Sequence, residues 1–358
     1  MIIVTRVLFL LIGIGMLLGG SELLLGKTWG LGTRFQEGYS SMGPLMLGMA
    51  GILCFTPLIG QIVQSPATHL GKLLRVDPAV FSSILACDMG GYPLAKNLAQ
   101  EYWTVPYCGM LLGSMLGCTV SFILPMGVNL IHKTGYVNFF QGILLGMVGI
   151  PAGSLTGGML AGFPVVPMLW MTLPVIFLSL GLLAGLHYFQ RGVLLGCRIF
   201  ARLLNAISIL GLLAGSCSYL LGWQVFSGMG KIQDAVLIVG GIALFLSGAL
   251  PLMELLLQAV QYSNKENQLE NPLLSILLLI AVNPVPVLMK YESFSTECQI
   301  KSAAFMVCAS CVMGDHLGYV ANVASDFVVP LLVGKILGGL TALGVAELYC
   351  KKKIGKWR

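Results

Sequence analysis

The stretch Asp88-Met89-Gly90-Gly91-Tyr92 recurs near the other end of the chain as Asp315-His316-Leu317-Gly318-Tyr319. Both copies lie inside apolar runs that are long enough to cross a membrane. An ionised carboxylate in the middle of a bilayer costs about 2.5–3.5 kcal/mol on insertion scales, so it needs a partner or a function. The glycines that follow each aspartate weaken the helix close to the charge. A duplicated, broken and acidic membrane helix is typical of transporters that are built from internal repeats.

The composition of the chain predicts a membrane protein. Of its 358 residues, 57% are hydrophobic and only 9% are charged, whereas a soluble domain carries about 25% charged residues. Apolar runs of roughly 20 residues recur from end to end, which predicts an all-α polytopic membrane protein. The first run, residues 2–25, is too long for a signal peptide and lacks a small-residue cleavage site, so we interpret it as a true span.

The apolar runs predict about 11 transmembrane helices within a single membrane transport domain, residues 1–358. The predicted spans are 2–25, 43–63, 78–99, 105–131, 138–160, 164–188, 203–222, 234–260, 272–290, 301–322 and 327–349. The longest polar connections are 26–42, 64–77 and 261–271. Residues 191–204 place three arginines among apolar residues, which predicts an amphipathic segment that lies along the membrane interface.

The similarity between the two ends of the chain extends beyond the aspartate motifs. The matching anchors, in order, are Glu22-Leu23-Leu24-Leu25 with Glu254-Leu255-Leu256-Leu257, Gly43-Pro44-Leu45 with Asn271-Pro272-Leu273, Pro57 with Pro284, the two aspartate motifs, and Val105-Pro106 with Val329-Pro330. We therefore expect repeat A at about 1–130, connecting spans at about 131–232 and repeat B at about 233–350. A shift of seven spans reverses the direction of the chain through the bilayer, so inverted repeats are predicted, and a miscount of one span would make them parallel.

Charge and cysteine usage add constraints on partners. The net charge is +6, and five of the positive charges lie in the tail at 351–358. Under the positive-inside rule this basic tail predicts a cytoplasmic end, and it argues against a nucleic-acid partner.

Six of the ten cysteines fall in apolar runs, where cysteine behaves as a small hydrophobe, so neither structural disulfides nor a metal site is expected.

Asp88 and Asp315 are the strongest candidates for a binding site. If the repeats bring the two broken helices together near the middle of the membrane, the two carboxylates would hold a cation or a proton. The alternative is that each aspartate caps a broken helix or pairs with a nearby lysine such as Lys96. Tyr92 and Tyr319 follow four residues after each aspartate, on the same face of a resumed helix, where they would offer a cation–π surface or a hydroxyl partner. Packing at the membrane interface is the alternative for both tyrosines.

Three further residues belong to the predicted site. Asn283 precedes Pro284 and Pro286, which remove backbone donors and free carbonyl groups within a span, so this asparagine is a candidate for binding a substrate hydroxyl. His316 is a candidate proton relay beside Asp315. Asn322 lies two helical turns after Asp315, on the same predicted face. Glu37, by contrast, is expected to be a solvated charge in a loop.

No sequence motif indicates an enzyme. The chain has no P-loop, no GxSxG, no HExxH and no nucleotide fingerprint. We therefore expect no catalytic residues and no cofactor. Energy for transport would have to come from a gradient, so a coupling proton or cation is a candidate partner.

The chain resembles the EutH-type ethanolamine permeases, which are associated with bacterial ethanolamine utilisation. The resembling stretches are Phe35-Gln36-Glu37-Gly38-Tyr39 with Met42-Gly43, Ala86-Cys87-Asp88-Met89-Gly90-Gly91 with Leu94-Ala95-Lys96, Gly314-Asp315-His316-Leu317-Gly318, and Val333-Gly334-Lys335 with Gly338-Gly339 and Thr341-Ala342. The resemblance implies uptake of ethanolamine, or of a close relative, because Val282-Asn283-Pro284 departs from a more asparagine-rich family pattern.

The sequence thus favours a multi-pass permease in a bacterial cytoplasmic membrane that imports ethanolamine. Ethanolamine is mostly a protonated cation at neutral pH and carries one hydroxyl, which fits two carboxylates with a tyrosine or an asparagine. A proton- or ion-coupled carrier for another small solute is the first alternative. A channel-like facilitator of the neutral amine is the second, and a membrane scaffold without transport is the third.

Overall fold

The computed structural model describes residues 2–26, 29–85, 91–223, 225–266 and 273–355, and every regular element in these residues is a helix. The helices of the first part are α1 (Ile2–Leu25), α2 (Leu31–Ser40), α3 (Met42–Leu45), α4 (Gly51–Leu74), α5 (Ser82–Leu85), α6 (Gly91–Leu98), α7 (Thr104–Pro106) and α8 (Leu124–Leu130). The central helices are α9 (Tyr136–Gly146), α10 (Gly149–Leu160), α11 (Val165–Tyr188) and α12 (Gln190–Leu221). The last helices are α13 (Ile232–Glu266), α14 (Leu273–Val282), α15 (Val285–Met289), α16 (Thr296–Ala309), α17 (Asp315–Val323) and α18 (Val328–Gly355).

Shorter turns of other helix types connect or extend these elements. Turns of π-helix form Met46–Ala50, Tyr107–Gly117 and Thr119–Ile123, and 3-10 turns form Pro78–Phe81, Tyr291–Ser293 and Ser325–Phe327. The long π-helical stretch carries Gly109, where a Cβ atom would lie 2.6 Å from the Cα of Tyr92. The absence of a side chain at Gly109 therefore lets α6 rest directly on this stretch.

Eight helical stretches among the described residues are long and apolar enough to cross a membrane. They are Ile3–Leu25, Leu31–Leu74, Thr104–Leu130, Tyr136–Leu160, Val165–Leu182, Arg191–Leu221, Ile232–Val260 and Ser325–Lys352. The other three predicted spans, 78–99, 272–290 and 301–322, appear as shorter helices in the part of the chain that the structure describes. The prediction of an all-α membrane protein is confirmed, whereas the described residues show eight full-length spans and not eleven.

Several predicted boundaries are wrong. The expected polar connections 26–42 and 64–77 are mostly helical, because α2 fills the first and α4 continues to Leu74 in the second. The expected interfacial segment 191–204 is continuous with the following span in the 32-residue helix α12, which ends only at Gly222, where φ is +70°. The basic tail is likewise a continuation of α18 as far as Gly355.

Glycines allow the helices around the centre to approach closely. A Cβ atom on Gly153 of α10 would lie 2.5 Å from the carbonyl oxygen of Gly334 on α18, and one on Gly149 would lie 2.3 Å from that of Gly338. The order of these contacts shows that α10 and α18 run antiparallel. In a membrane the hydrophobic effect does not drive helices together, so the close van der Waals packing that small residues allow stabilises the pair.

Candidate functional site

The site begins where α14 ends. Pro284 and Pro286 lack the N–H groups that would continue the helical hydrogen bonds, so α14 stops at residue 282. Asn283 turns the chain at this point, and its Oδ1 accepts a hydrogen bond of 3.0 Å from the N–H of Val285. Three backbone carbonyl groups at 280–282 are therefore released from their usual helical partners.

The loop 310–314, which separates α16 from α17, satisfies two of these released carbonyl groups. The N–H of Cys311 donates to the carbonyl of Ile280 at 3.1 Å, and the N–H of Met313 donates to that of Ala281 at 2.7 Å. Backbone donors at one helix break thus satisfy backbone acceptors at another break that is distant in sequence. Buried backbone groups at membrane depth need such partners.

Gly314 closes the contact between the two breaks. A Cβ atom at this position would lie 2.2 Å from the carbonyl oxygen of Val282, so only glycine fits. Asp315 follows as the first residue of α17, and its Oδ1 accepts a hydrogen bond of 3.0 Å from the N–H of His316. The carboxylate is placed at the N-terminus of a helix, where the macrodipole favours a negative charge.

Asp315 lines a cavity of about 550 Å³, which we call the acidic cavity. Its other charged or strongly polar lining residues include Asn283, Arg34, Glu37 and Glu254. The guanidinium of Arg34 contacts Glu37 at 2.7 Å and Glu254 at 2.9 Å. Three carboxylates therefore face the cavity against one guanidinium among the described residues, and this balance favours a cation over an anion.

A second cavity, of about 830 Å³, lies at the other end of α17. Its polar lining residues include Tyr92, Lys96, Asn322 and Asp326. Asn322 donates from Nδ2 to the carbonyl of Ile238 at 3.2 Å, near the start of α13. The acidic cavity instead contacts residues 246–257 in the second half of α13, so the two cavities lie towards opposite ends of that helix.

Between the two cavities α17 is buried. His316 and Leu317 have no exposed surface and Tyr319 is only 1% exposed. The rings of Tyr319 and Tyr92 meet edge to face with their centroids 6.4 Å apart. These side chains form a closed layer, which we call the α17 layer, between the acidic cavity and the second cavity.

The predicted site residues are thus distributed over both cavities and the layer between them. Asp315 and Asn283 share the acidic cavity, Tyr92 and Asn322 share the second cavity, and His316 and Tyr319 belong to the α17 layer. Asp88 lies outside the described residues, so its role stays a prediction. Asn322 does not share a cavity with Asp315, because seven residues of helix separate them by about 10 Å.

The two tyrosines have different surroundings. The ammonium of Lys96 lies 4.5 Å from the centre of the Tyr92 ring, so in this conformation a side chain of the protein provides the cation on that ring. The buried hydroxyl of Tyr319 has no hydrogen-bond partner among the described residues. A buried hydroxyl without a partner is costly, and a bound polar molecule would relieve this cost.

Sequence reasoning missed several residues of the site. Glu37 is exposed, as expected, but it lies on α2 and not in a loop, and it pairs with Arg34 at the acidic cavity. Cys311 also lines this cavity, and the spacing Cys308-x-x-Cys311 directly before Gly314 was the available signal.

Lys335 is a buried cation that the site prediction also omitted. It lies on α18 without exposed surface and donates to the carbonyl of Ser114 at 2.7 Å. A lysine inside a strongly apolar run was the sequence signal, since intramembrane charges are rare and usually functional.

Comparison with known proteins gives a consistent result over the whole chain. The model of the family described as "Ethanolamine utilisation protein, EutH" matches residues 4–349. A Listeria monocytogenes protein named "Probable ethanolamine permease EutH" is 33% identical, over 99% of this chain and 96% of its own length. Proteins of the same name from Escherichia coli and Salmonella typhimurium are each 31% identical, over 94% and 93% of this chain and 90% of their own lengths. No solved structure gives a significant match.

Proposed function

Because the chain belongs to the family of the ethanolamine utilisation protein EutH, we propose that it carries ethanolamine across the bacterial cytoplasmic membrane. The names of its relatives support a permease, and the eight apolar helical stretches among the described residues support a multi-pass membrane protein. The small-molecule substrate and the lipid bilayer are then its principal partners.

The observation that carries the proposal is the position of Asp315. This carboxylate faces a cavity that also presents Glu37 and Glu254, and it lies at the edge of the closed α17 layer. Protonated ethanolamine offers an ammonium group for the carboxylate of Asp315. Its hydroxyl can bond to the amide of Asn283 or, when the α17 layer opens, to the hydroxyl of Tyr319.

Transport requires that the bound cation reach the second cavity without a continuous open channel. The helix α17 has only nine residues and is bounded by the loop 310–314 and by Ala324, so it can move as a short rigid unit. Separation of the rings of Tyr92 and Tyr319 would then open the layer on one side while it closes on the other. This is alternating access by a broken helix, with Asp315 as the binding group at the first turn of the moving helix.

Contacts between equivalent positions support the duplicated core. Tyr92 touches Tyr319, which occupies the same place in the other aspartate motif. Likewise a Cβ on Gly15 would lie 2.2 Å from the carbonyl oxygen of Gly248. Along the sequence, Gly15 and Gly248 are separated by nearly the same number of residues as the matched Glu22 and Glu254. Equivalent residues meet in this way when two copies are related by a two-fold axis, as in inverted repeats.

The proposal is tested by uptake of radiolabelled ethanolamine into proteoliposomes. Wild type is compared with Asp315→Asn and Asp88→Asn, and Asp234→Asn is the matched control on an exposed aspartate in the first turn of α13. We expect saturable uptake that Asp315→Asn abolishes, that Asp88→Asn also abolishes if the two motifs act as a pair, and that Asp234→Asn leaves intact.

Two outcomes would overturn the proposal. Undiminished, saturable flux in Asp315→Asn would reduce this aspartate to a helix cap. Flux that does not saturate, and that rises with pH in both wild type and mutant, would instead identify a channel-like facilitator of the neutral amine. Competition by small amines, compared with amino acids and sugars, identifies the substrate class in the same assay.

A further inference from the structure

Three side chains of different chemistry converge at the break between α16 and α17. The Sγ of Cys311, a carboxylate oxygen of Asp315 and a ring nitrogen of His316 all lie within 4.8 Å of one another. Cys311 and Asp315 line the acidic cavity, and His316 is buried directly behind them. The cluster is therefore reached from the acidic cavity and shielded on its other side.

The backbone conformation creates this convergence. Cys311 has a φ of +57°, a left-handed conformation that is uncommon for residues other than glycine. The hydrogen bond from its N–H to the carbonyl of Ile280 anchors it in that conformation. Strained residues of this kind persist where the surrounding structure holds them, and they concentrate at functional sites.

We infer that the cluster of Cys311, Asp315 and His316 binds a transition-metal ion of the zinc class. A thiolate sulfur, an imidazole nitrogen and a carboxylate oxygen are the donor atoms that Zn²⁺ takes in proteins. Tetrahedral zinc with bonds of about 2.0–2.3 Å holds its ligand atoms about 3.4–3.8 Å apart. Side-chain rotations that move the ligand atoms by roughly 1 Å would therefore bring them to these distances. The fourth position faces the acidic cavity and is available to water.

Binding at this site has two chemical consequences. The thiol proton of Cys311 leaves to solvent when the sulfur becomes a ligand, so affinity increases with pH. The metal also occupies the carboxylate of Asp315 and ties the loop 310–314 to the first turn of α17. On the basis of the proposed function, zinc therefore competes with the ammonium group and holds the broken helix in one position, which stops transport.

Cadmium binding to the purified full-length protein tests the site without reference to transport. Thiolate ligation of Cd²⁺ gives a charge-transfer absorption in the ultraviolet. A titration of the protein with cadmium chloride would follow this absorption. The two variants are Cys311→Ala and, as the matched control, Cys308→Ala. The Sγ of Cys308 points instead to the carbonyl of Gly146, at 3.8 Å. Size-exclusion chromatography of both variants is the check that they are folded.

We expect one equivalent of cadmium per chain to produce the absorption in wild type and in Cys308→Ala, and this signal to disappear in Cys311→Ala. His316→Gln should weaken binding at least tenfold, since it removes one of three ligands. An absorption that persists in Cys311→Ala, or that is absent from wild type, would overturn the inference.

Zinc inhibition of uptake is the second readout. Micromolar zinc should block ethanolamine uptake by wild type and by Cys308→Ala. In the Cys311→Ala variant, zinc should have no effect on whatever uptake that variant shows without zinc. If no ethanolamine uptake exists, the cadmium result still decides the metal site, so failure of the proposed function and failure of this inference are distinguishable.

Discussion

The second and ninth predicted spans hold prolines that the predicted repeats would pair, yet only one of these spans is broken. Around Pro57, α4 continues without interruption from Gly51 to Leu74. Around Pro284, the chain divides into α14 and α15 and releases three carbonyl groups. The difference shows that a break at membrane depth needs missing donors close together, because α4 also contains Pro66 and stays continuous.

The local contacts explain the difference. The missing N–H of Pro57 frees a single carbonyl group, that of Leu53, and the helix continues on both sides of it. Thr56 bonds back to the carbonyl of Ile52 at 2.8 Å and so stays within the helical pattern. Pro284 and Pro286 act together, and the carbonyl groups that they release bind the loop that positions Asp315. The broken region, and not its intact counterpart, therefore carries the acidic cavity.

The largest effect is expected from repairing the break. In the double variant Pro284→Ala and Pro286→Ala, two restored N–H groups compete for the carbonyl groups of residues 280 and 282, which displaces the loop 310–314. We expect ethanolamine uptake to fall to background in proteoliposomes. Pro57→Ala, the matched change in α4, should leave uptake within about twofold of wild type, since the helix there is already continuous. Equal effects of both changes would contradict the comparison.

A strong effect is also expected at Gly314. Alanine at this position clashes with the carbonyl of Val282 at 2.2 Å, and overpacking of this kind typically costs about 1–3 kcal/mol. Gly314→Ala should lower both uptake and the thermal unfolding temperature. Gly344→Ala is the control, because nothing lies within 4 Å of a Cβ atom there. It should be neutral or slightly stabilising, and a loss of the same size in both variants would refute the role of Gly314.

A moderate effect is expected from Asn283→Ala. This change removes the side-chain cap on the N–H of Val285, worth about 0.5–2 kcal/mol, and it removes an amide from the acidic cavity. The KM for ethanolamine should increase several-fold. Asn283→Ser keeps a side-chain oxygen that can accept the hydrogen bond from Val285. If this variant is more stable than Asn283→Ala but has the same raised KM, the capping role and the substrate contact are separate. An unchanged KM in Asn283→Ala would exclude a substrate contact.

The smallest effect is expected from Glu254→Gln. Glu254 pairs with Arg34 at 2.9 Å at the edge of the cavity, and partly exposed ion pairs contribute about 0–1 kcal/mol. We expect KM to increase by about two- to fivefold at low ionic strength and the difference to shrink at high salt. A larger change that salt does not reduce would place Glu254 in direct contact with the substrate.

The sequence predicts those features of the fold that are local. The missing donors of Pro284 and Pro286 are a property of a few adjacent residues, and the structure shows a helix break at this point. The role of Asp315 in binding stays a prediction. The rings of Tyr92 and Tyr319, the tyrosines of the two matched motifs, lie in contact, and the repeats themselves stay a prediction.

Features that depend on distant partners were missed. Arg34 lies 220 residues from Glu254, so nothing near it in sequence shows that its segment is helical and faces a cavity. Helical periodicity alone predicts Asn322 on the same face as Asp315, two turns further along the helix. In the structure α13 anchors it in a different cavity.

The central claim is that the carboxylate of Asp315 binds the ammonium group of the substrate. Equilibrium binding of radiolabelled ethanolamine to purified protein measures this contact directly, for wild type, Asp315→Asn and the control Asp234→Asn. Loss of a charged hydrogen bond costs about 1.5–3 kcal/mol, and each 1.4 kcal/mol is about tenfold in affinity. We predict at least a tenfold increase in Kd for Asp315→Asn and no change for Asp234→Asn. An unchanged Kd in Asp315→Asn would contradict the account.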